Sequence, residues 1–312
     1  MKKVLGSIAA IILIALVILY KPDISASEIE KKYSDSASSF MSIMGMKVHY
    51  KDEGPRTDSI PLVLIHGTSS SLHTWDSLTD RMRSSKRLIR LDLPAFGLTG
   101  ANPSRAYSTD LHVMVIDSLL TKLDIKKAIF AGNSLGGLIA WNAALKDTVR
   151  VQGLVLIDAA GYPRKNEKGN LGFKLASMPG VARLLSKFTP RALIEKSLKD
   201  TYTDDSKITD ALIDRYFELL LREGNRQATL DIFAQRRAID PEKIKNIRQP
   251  TLIIWGEDDQ LIDVHNAFAF KQDIVNSRLL VIPKSGHVPM EENPDEVHQA
   301  IDLYLTDFFV KD

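Results

Sequence analysis

The sequence predicts an α/β fold: a mostly parallel central sheet flanked by helices, with a helical segment inserted late in the chain. Three observations predict it. Short, near-continuous runs of Val, Ile and Leu recur along the 312 residues, as strands buried on both faces require. Helix-period patterns separate these runs, and strand and helix in alternation give parallel strands with helices on both faces. The stretch from Tyr162 to Asp240 breaks the rhythm, with helical patterns and no convincing strand.

In chain order, the strand candidates are Val48–Tyr50, Leu62–Ile65, Leu88–Leu91, Ala128–Ala131, Leu154–Ile157, Leu252–Ile254 and Leu279–Ile282. Helical patterns cover Thr109–Leu123, Leu135–Lys146, Val264–Lys271 and Pro294–Phe308. Inside the late stretch, Pro190–Lys199 and Ile208–Arg222 are amphipathic, and Gly224-Asn225 punctuates them. The strand pattern resumes at Thr251, so this stretch interrupts one core instead of forming a separate domain. The expected organisation is an N-terminal membrane anchor or signal sequence over 1–22, a linker over 23–45, a core over 46–161 and 241–312, and a helical cap over 162–240.

The N-terminus carries the membrane signal. Lys2 and Lys3 precede an apolar run from Val4 to Tyr20, closed by Lys21-Pro22-Asp23. The run sits at the short end of a spanning helix, about 17–25 residues, and exceeds a signal-peptide core of about 7–15. A single-pass anchor with the catalytic domain on the extracytoplasmic side is therefore expected. The alternative is a secreted or periplasmic protein, cut near Ser25, Ala26 and Ser27.

Composition excludes several classes. Net charge is +2, so no nucleic-acid partner is expected. There are no cysteines, which removes disulfides, thiolate metal sites and a cysteine nucleophile. The sequence has no His-Glu-x-x-His helix and no dinucleotide fingerprint. No metal and no cofactor are expected.

The strongest motif is Gly132-Asn133-Ser134-Leu135-Gly136-Gly137, placed between a strand and a helix. A serine on so tight a turn needs small residues two before and two after it, and the helix beginning there favours developing negative charge. A serine hydroxyl is a weak nucleophile and needs a base. Of seven histidines, His287 lies on a loop after the last predicted strand, where sites of α/β proteins gather. The base needs an acid to fix its tautomer. Asp258 and Asp259 both follow Leu252–Ile254, and spacing does not choose between them; Asp158, after Leu154–Ile157, is a third candidate. Backbone N–H groups of Leu135 and Thr68 are the candidate oxyanion hole. His66, beside Thr68, is expected to be structural.

These residues resemble the α/β-hydrolase superfamily over nearly the whole chain after residue 45. His66-Gly67 is similar to the oxyanion loop of that family. Asp92-Leu93-Pro94-Ala95-Phe96-Gly97 is similar to its Asp-Leu-Pro-Gly-Phe-Gly segment, with Ala95 in place of glycine. Gly256-Glu257-Asp258-Asp259 resembles its Gly-x-x-Asp motif, which favours Asp259 as the acid. Ser285-Gly286-His287, followed by Glu291-Glu292-Asn293-Pro294, resembles its histidine motif.

The resemblance implies a serine hydrolase that cleaves small ester or acyl substrates through an acyl-enzyme, with Ser134, His287 and Asp259 as triad. Apolar residues of the inserted stretch, among them Leu171, Phe173, Met178, Leu184 and Phe188, are candidates for an acyl pocket. Alternatives are a carbon–carbon bond hydrolase of ring-cleavage products, an acyltransferase or a cofactor-free perhydrolase. A catalytically silent hydrolase-fold binding protein is the non-enzyme alternative. The carbon–carbon enzymes share a Gly-Asn-Ser elbow, yet they commonly carry Trp after the catalytic histidine, where this chain has Val288.

Overall fold

A computed structural model describes residues 20–163, 178, 187–235 and 238–309. Within them, one sheet is built from β1 (Ser38–Ile43), β2 (Met46–Glu53), β3 (Leu62–Ile65), β4 (Leu88–Leu91), β5 (Ala128–Asn133), β6 (Val151–Ile157), β7 (Thr251–Gly256) and β8 (Ser277–Ile282). Their spatial order is β1-β2-β4-β3-β5-β6-β7-β8. The first two pairings, β1 with β2 and β2 with β4, are antiparallel. All later pairings are parallel. The expected α/β architecture is the observed one.

The central strands are apolar throughout because both of their faces are covered. Val63 and Ile65 of β3 enter one hydrophobic cluster, while Leu62 and Leu64 enter the other. The period of two along a strand thus feeds two layers of core from one run of four residues. The layers are covered by helices α1 (Ala26–Tyr33), α2 (Asp76–Met82), α3 (Thr109–Lys122), α4 (Leu135–Lys146), α5 (Arg191–Lys199), α6 (Asp210–Leu221), α7 (Asn225–Ala234), α8 (His265–Asp273), α9 (Pro289–Glu292) and α10 (Pro294–Phe309). Side-chain caps mark where several begin: Ser108 accepts the Leu111 N–H at 3.0 Å, and Thr209 accepts that of Leu212 at 3.2 Å.

Helices α5 to α7 lie between β6 and β7 in the chain, where the sequence has no strand pattern. Leu171, Phe173 and Leu184 lie outside the described residues. Met178 is exposed, and Phe188 packs edge-on against Tyr20.

The stretch 23–45 carries α1 and β1. Helix α1 buries Ile29 in a cluster with Leu98 and Leu219. Strand β1 is rich in serine and lies at the sheet edge, half exposed, so its apolar signal is weak. Side chains hold it as well as the ladder. Phe40 stacks on His49, and Ser38 Oγ lies 2.9 Å from His49 Nε2.

The expected membrane anchor needs correction. Among the described residues, no helix is long and apolar enough to cross a membrane. A single-pass anchor, and a membrane partner reached through it, are therefore unsupported. Residues 1–19 of the expected segment lie outside the described residues. Its described end is bound to the protein itself. Lys21, which closes the apolar run, donates its backbone N–H to the Lys187 carbonyl at 3.1 Å. Ile24 bridges in parallel to Arg222, and Arg226 pairs with Asp23.

Candidate active site

The end of β5 and the start of α4 form a turn that few sequences tolerate. Ser134 sits at φ 55°, ψ −113°, a strained backbone for a residue with a Cβ. Its amide donates to the Ile157 carbonyl at 3.1 Å, and its carbonyl accepts the Ala160 N–H at 3.0 Å. These bonds to the β6 side hold the turn. A Cβ on Gly132 would collide with the Gly136 carbonyl, and one on Gly136 with the Ile65 carbonyl. Both glycines therefore serve the close approach that the motif implied.

Ser134 occupies the N-cap of α4 but makes no capping bond with its side chain. The hydroxyl is thus not spent on the helix, and Leu135 is the first residue beyond it. Gly67 comes against this turn: a Cβ there would lie 3.2 Å from Ser134 Cβ. Thr68 follows, inside a turn closed by Ser70 N–H on the Gly67 carbonyl (3.4 Å), with Ser69 at φ 60°. The structure thus brings the Thr68 loop, Leu135 and Ser134 to one place.

His287 and Asp259 are directly joined. His287 Nδ1 donates to Asp259 Oδ2 at 2.7 Å, and both residues are buried. Asp259 Oδ1 accepts the N–H groups of Leu261 (2.7 Å) and Ile262 (3.0 Å). Three donors therefore fix its carboxylate. Asp258 is exposed, so of the two neighbours it is Asp259 that the structure brings to His287. Asn133 Nδ2 donates to the His287 carbonyl at 2.9 Å, which ties the histidine loop to the residue before Ser134. Sequence alone did not identify this tie.

The histidine loop is held from its other side. Glu292 is buried and accepts the N–H groups of Gly286 (2.7 Å), Thr203 (2.8 Å) and Asp204 (2.7 Å). His287 N–H donates to the Thr201 carbonyl at 2.8 Å. Glu291 bonds to Thr74, Tyr202 and Tyr216. Burial and then the Glu291 charge push both tyrosines well above the usual phenol range. The segment between β6 and β7 is therefore anchored on the loop that carries His287. The sequence showed Glu291 and Glu292 within a motif but gave no sign of what they hold.

A small cleft adjoins the Thr68 loop, lined by Ser69, Ser70, Phe96, Leu219, Asn225 and Thr229 among others. Ala95, in the position where the similar family segment has glycine, takes φ 86°. This residue forms part of the same wall.

A second Ser–His–Asp chain lies elsewhere. Ser38 Oγ contacts His49 Nε2, and His49 Nδ1 lies 2.7 Å from Asp92 Oδ2. Its setting differs in two ways. Ser38 stands on a regular edge strand, and Asp35 Oδ1 is 3.3 Å from its oxygen. A carboxylate there opposes an oxyanion. Asp92 also accepts the N–H groups of Leu72 and Leu98, each at 2.7 Å. Burial opposes its ionisation, but the His49 bond and charge outweigh burial and hold it below the usual carboxylate range. This chain ties β1, β2 and the loop after β4 together.

His66 is structural, as its place in the loop suggested. Its Nδ1 donates to the Gly67 carbonyl at 2.7 Å, and its Nε2 accepts the Leu93 N–H at 2.9 Å. That pairing fits the neutral ring. Burial lowers its pKa from 6.5 to about 4. The unfolded chain then binds a proton in this window that the folded chain does not, so the stability is complete above pH 6.5 and is lost as pH falls toward 4. Unfolding free energy is expected to drop by about 2–3 kcal/mol between pH 7 and pH 4.5 from His66 alone. His112, also lowered by burial, adds in the same direction. Urea melts at the two pH values, compared with His66→Gln, measure the effect; equal slopes in both proteins would assign it elsewhere.

A family model described as alpha/beta hydrolase fold matches residues 60–294. An uncharacterised hydrolase of Bacillus subtilis, YugF, is 27% identical over 254 residues, covering 81% of this chain and 91% of that protein. The 2-hydroxy-6-oxo-6-(2'-aminophenyl)hexa-2,4-dienoic acid hydrolase of Metapseudomonas resinovorans is 25% identical, covering 89% of this chain and 93% of that protein. Among solved structures, the meta-cleavage product hydrolase CumD of Pseudomonas fluorescens IP01 superposes with a TM-score of 0.75 at 26% identity. That match covers 86% of this chain and 97% of CumD.

Proposed function

This chain belongs to the α/β-hydrolase fold family and is a hydrolase, and from that premise we propose that it is a serine hydrolase of carboxylic esters. The observation that carries the reading is the buried His287–Asp259 pair, joined at 2.7 Å and tied by Asn133 to the strained turn of Ser134.

Nδ1 of His287 is occupied by Asp259, which leaves Nε2 as the nitrogen for chemistry. In the proposed cycle, Nε2 takes the Ser134 proton as Oγ attacks the ester carbonyl. The oxyanion forms between the N–H groups of Thr68 and Leu135. Its collapse breaks the C–O bond, and the imidazolium returns the proton to the departing alcohol. Water then attacks the acyl-serine, losing a proton to Nε2, and the acid leaves as Ser134 Oγ recovers that proton. Asp259 holds the ring and balances its transient charge. The segment 162–240 serves as a cap over the core of 46–161 and 241–312.

A second reading is carbon–carbon bond hydrolysis. It is favoured by the M. resinovorans relative, a 2-hydroxy-6-oxo-6-(2'-aminophenyl)hexa-2,4-dienoic acid hydrolase, and the P. fluorescens one, a meta-cleavage product hydrolase. The Gly132-Asn133-Ser134 elbow fits it, and Val288 weighs against it. Two assays distinguish the readings. The ester reading predicts turnover of p-nitrophenyl esters of graded chain length and stoichiometric labelling by a fluorophosphonate. Consumption of a 2-hydroxy-6-oxo-dienoate at a higher kcat/KM than any ester would transfer the assignment to the second reading. Neither turnover nor labelling would defeat both.

A further inference from the structure

The proposed cycle leaves one buried acid without a task. Asp158 follows β6 at φ 44°, fully shielded from solvent. Its Oδ1 accepts the Gly256 N–H at 3.0 Å. Its Oδ2 has no hydrogen-bond partner among the described residues. An ionised carboxylate buried this way would lose its hydration and gain little in exchange.

Its surroundings oppose ionisation further. A carboxylate oxygen of Asp158, one of Asp259 and a ring nitrogen of His287 lie within 4.8 Å of one another. Asp259 already receives three donors: His287 and the two amides of Leu261 and Ile262. Glu292 adds negative potential from the histidine loop. Two carboxylates so close in a buried site do not both ionise. The partner that Asp158 Oδ2 lacks is therefore a proton, and the acceptor facing it is Asp259. The spacing also resembles that of a cation site, but His287 Nδ1 and Asp259 Oδ2 are engaged with each other directly.

We propose that Asp158 is a positioning residue, a neutral carboxylic acid whose O–H donates to Asp259 and holds it behind His287. The proposal rests on the Ser134–His287–Asp259 reading. Burial first, and the Asp259 charge second, push the Asp158 carboxyl well above the usual carboxylate range. The extra donor spreads the charge of Asp259. This weakens the pull of Asp259 on a positive ring in front of it.

The test compares kcat/KM against pH for the wild type, Asp158→Asn and Asp158→Ala, with p-nitrophenyl acetate as substrate. Asn supplies an N–H where the acid had an O–H, with no change of charge. Its acid limb is expected within about 0.3 units of the wild type, and its kcat/KM within about threefold at pH 7. Ala removes the donor, and its acid limb is expected to rise by at least about half a unit. If Asp158 were ionised, Asn would remove a negative charge beside His287 and lower the acid limb by about 1–3 units, which overturns the proposal. An acid limb that no substitution moves overturns it too.

Should the variants not fold, wild-type protein labelled with ¹³C at the aspartate carboxyls keeps the question open to measurement. One carboxyl is expected to stay protonated at pH 7; full ionisation of all of them refutes the assignment. This readout needs no turnover. It separates failure here from failure of the Ser134 reading, which would appear as undiminished turnover in Ser134→Ala.

Discussion

Ser134→Ala is expected to lower kcat by about 10⁴-fold or more on every substrate the enzyme turns over, with the fold intact. The substitution removes one oxygen. That oxygen caps no helix, and alanine keeps the Cβ already accommodated at φ 55°. Melting should therefore move little, by less than about 1 kcal/mol. The loss falls on chemistry because no other hydroxyl among the described residues has the same setting. Ser38 also meets a histidine, but it stands beside Asp35 on an edge strand. His287→Ala should cost a similar factor, and the double variant little more, because a nucleophile without its base is no nucleophile. Steady-state rates with thermal melts check both halves. Turnover within tenfold of wild type in Ser134→Ala would remove Ser134 from the mechanism.

The sequence made the central strands legible because burial on both faces leaves a run such as Leu62–Ile65 with no polar residue. Strand β1 was not legible for the opposite reason. Ser38, Ser39 and Ser42 interrupt both of its faces, and its attachment comes also from partners remote in sequence, His49 among them. The N-terminal segment misled through hydropathy. Tyr20 ends its apolar run and Lys21 closes it, yet they contact Phe188 and Lys187.

At the site, Ser134 was legible because a strained turn demands small neighbours at fixed offsets. The candidate acids were not ranked by spacing, since Asp158, Asp258 and Asp259 all follow strands. The bond to His287, which Asp259 makes, separates them, and it depends on the folded neighbourhood. The same holds for Glu292, whose three backbone donors come from two separate segments.

Asp259→Asn should lower kcat by about 10⁴-fold with KM little changed, through the tautomer of His287. The amide cannot turn freely. Leu261 and Ile262 present N–H groups at 2.7 and 3.0 Å, and these require the asparagine oxygen. The amide NH₂ then faces His287 Nδ1 and needs a lone pair there. Nδ1 must give up its proton, so the proton moves to Nε2, the nitrogen that should receive the one from Ser134. Fluorophosphonate labelling should slow by a comparable factor, since it uses the same proton transfer. Asp258→Asn is the control. Asp258 is exposed and its substitution should leave kcat within about twofold. Asp158→Asn belongs between these extremes, because an amide can replace an acid that already donates but cannot replace one that accepts. A small effect at Asp259 with a large one at Asp158 would exchange their roles and make the acid the one that follows β6.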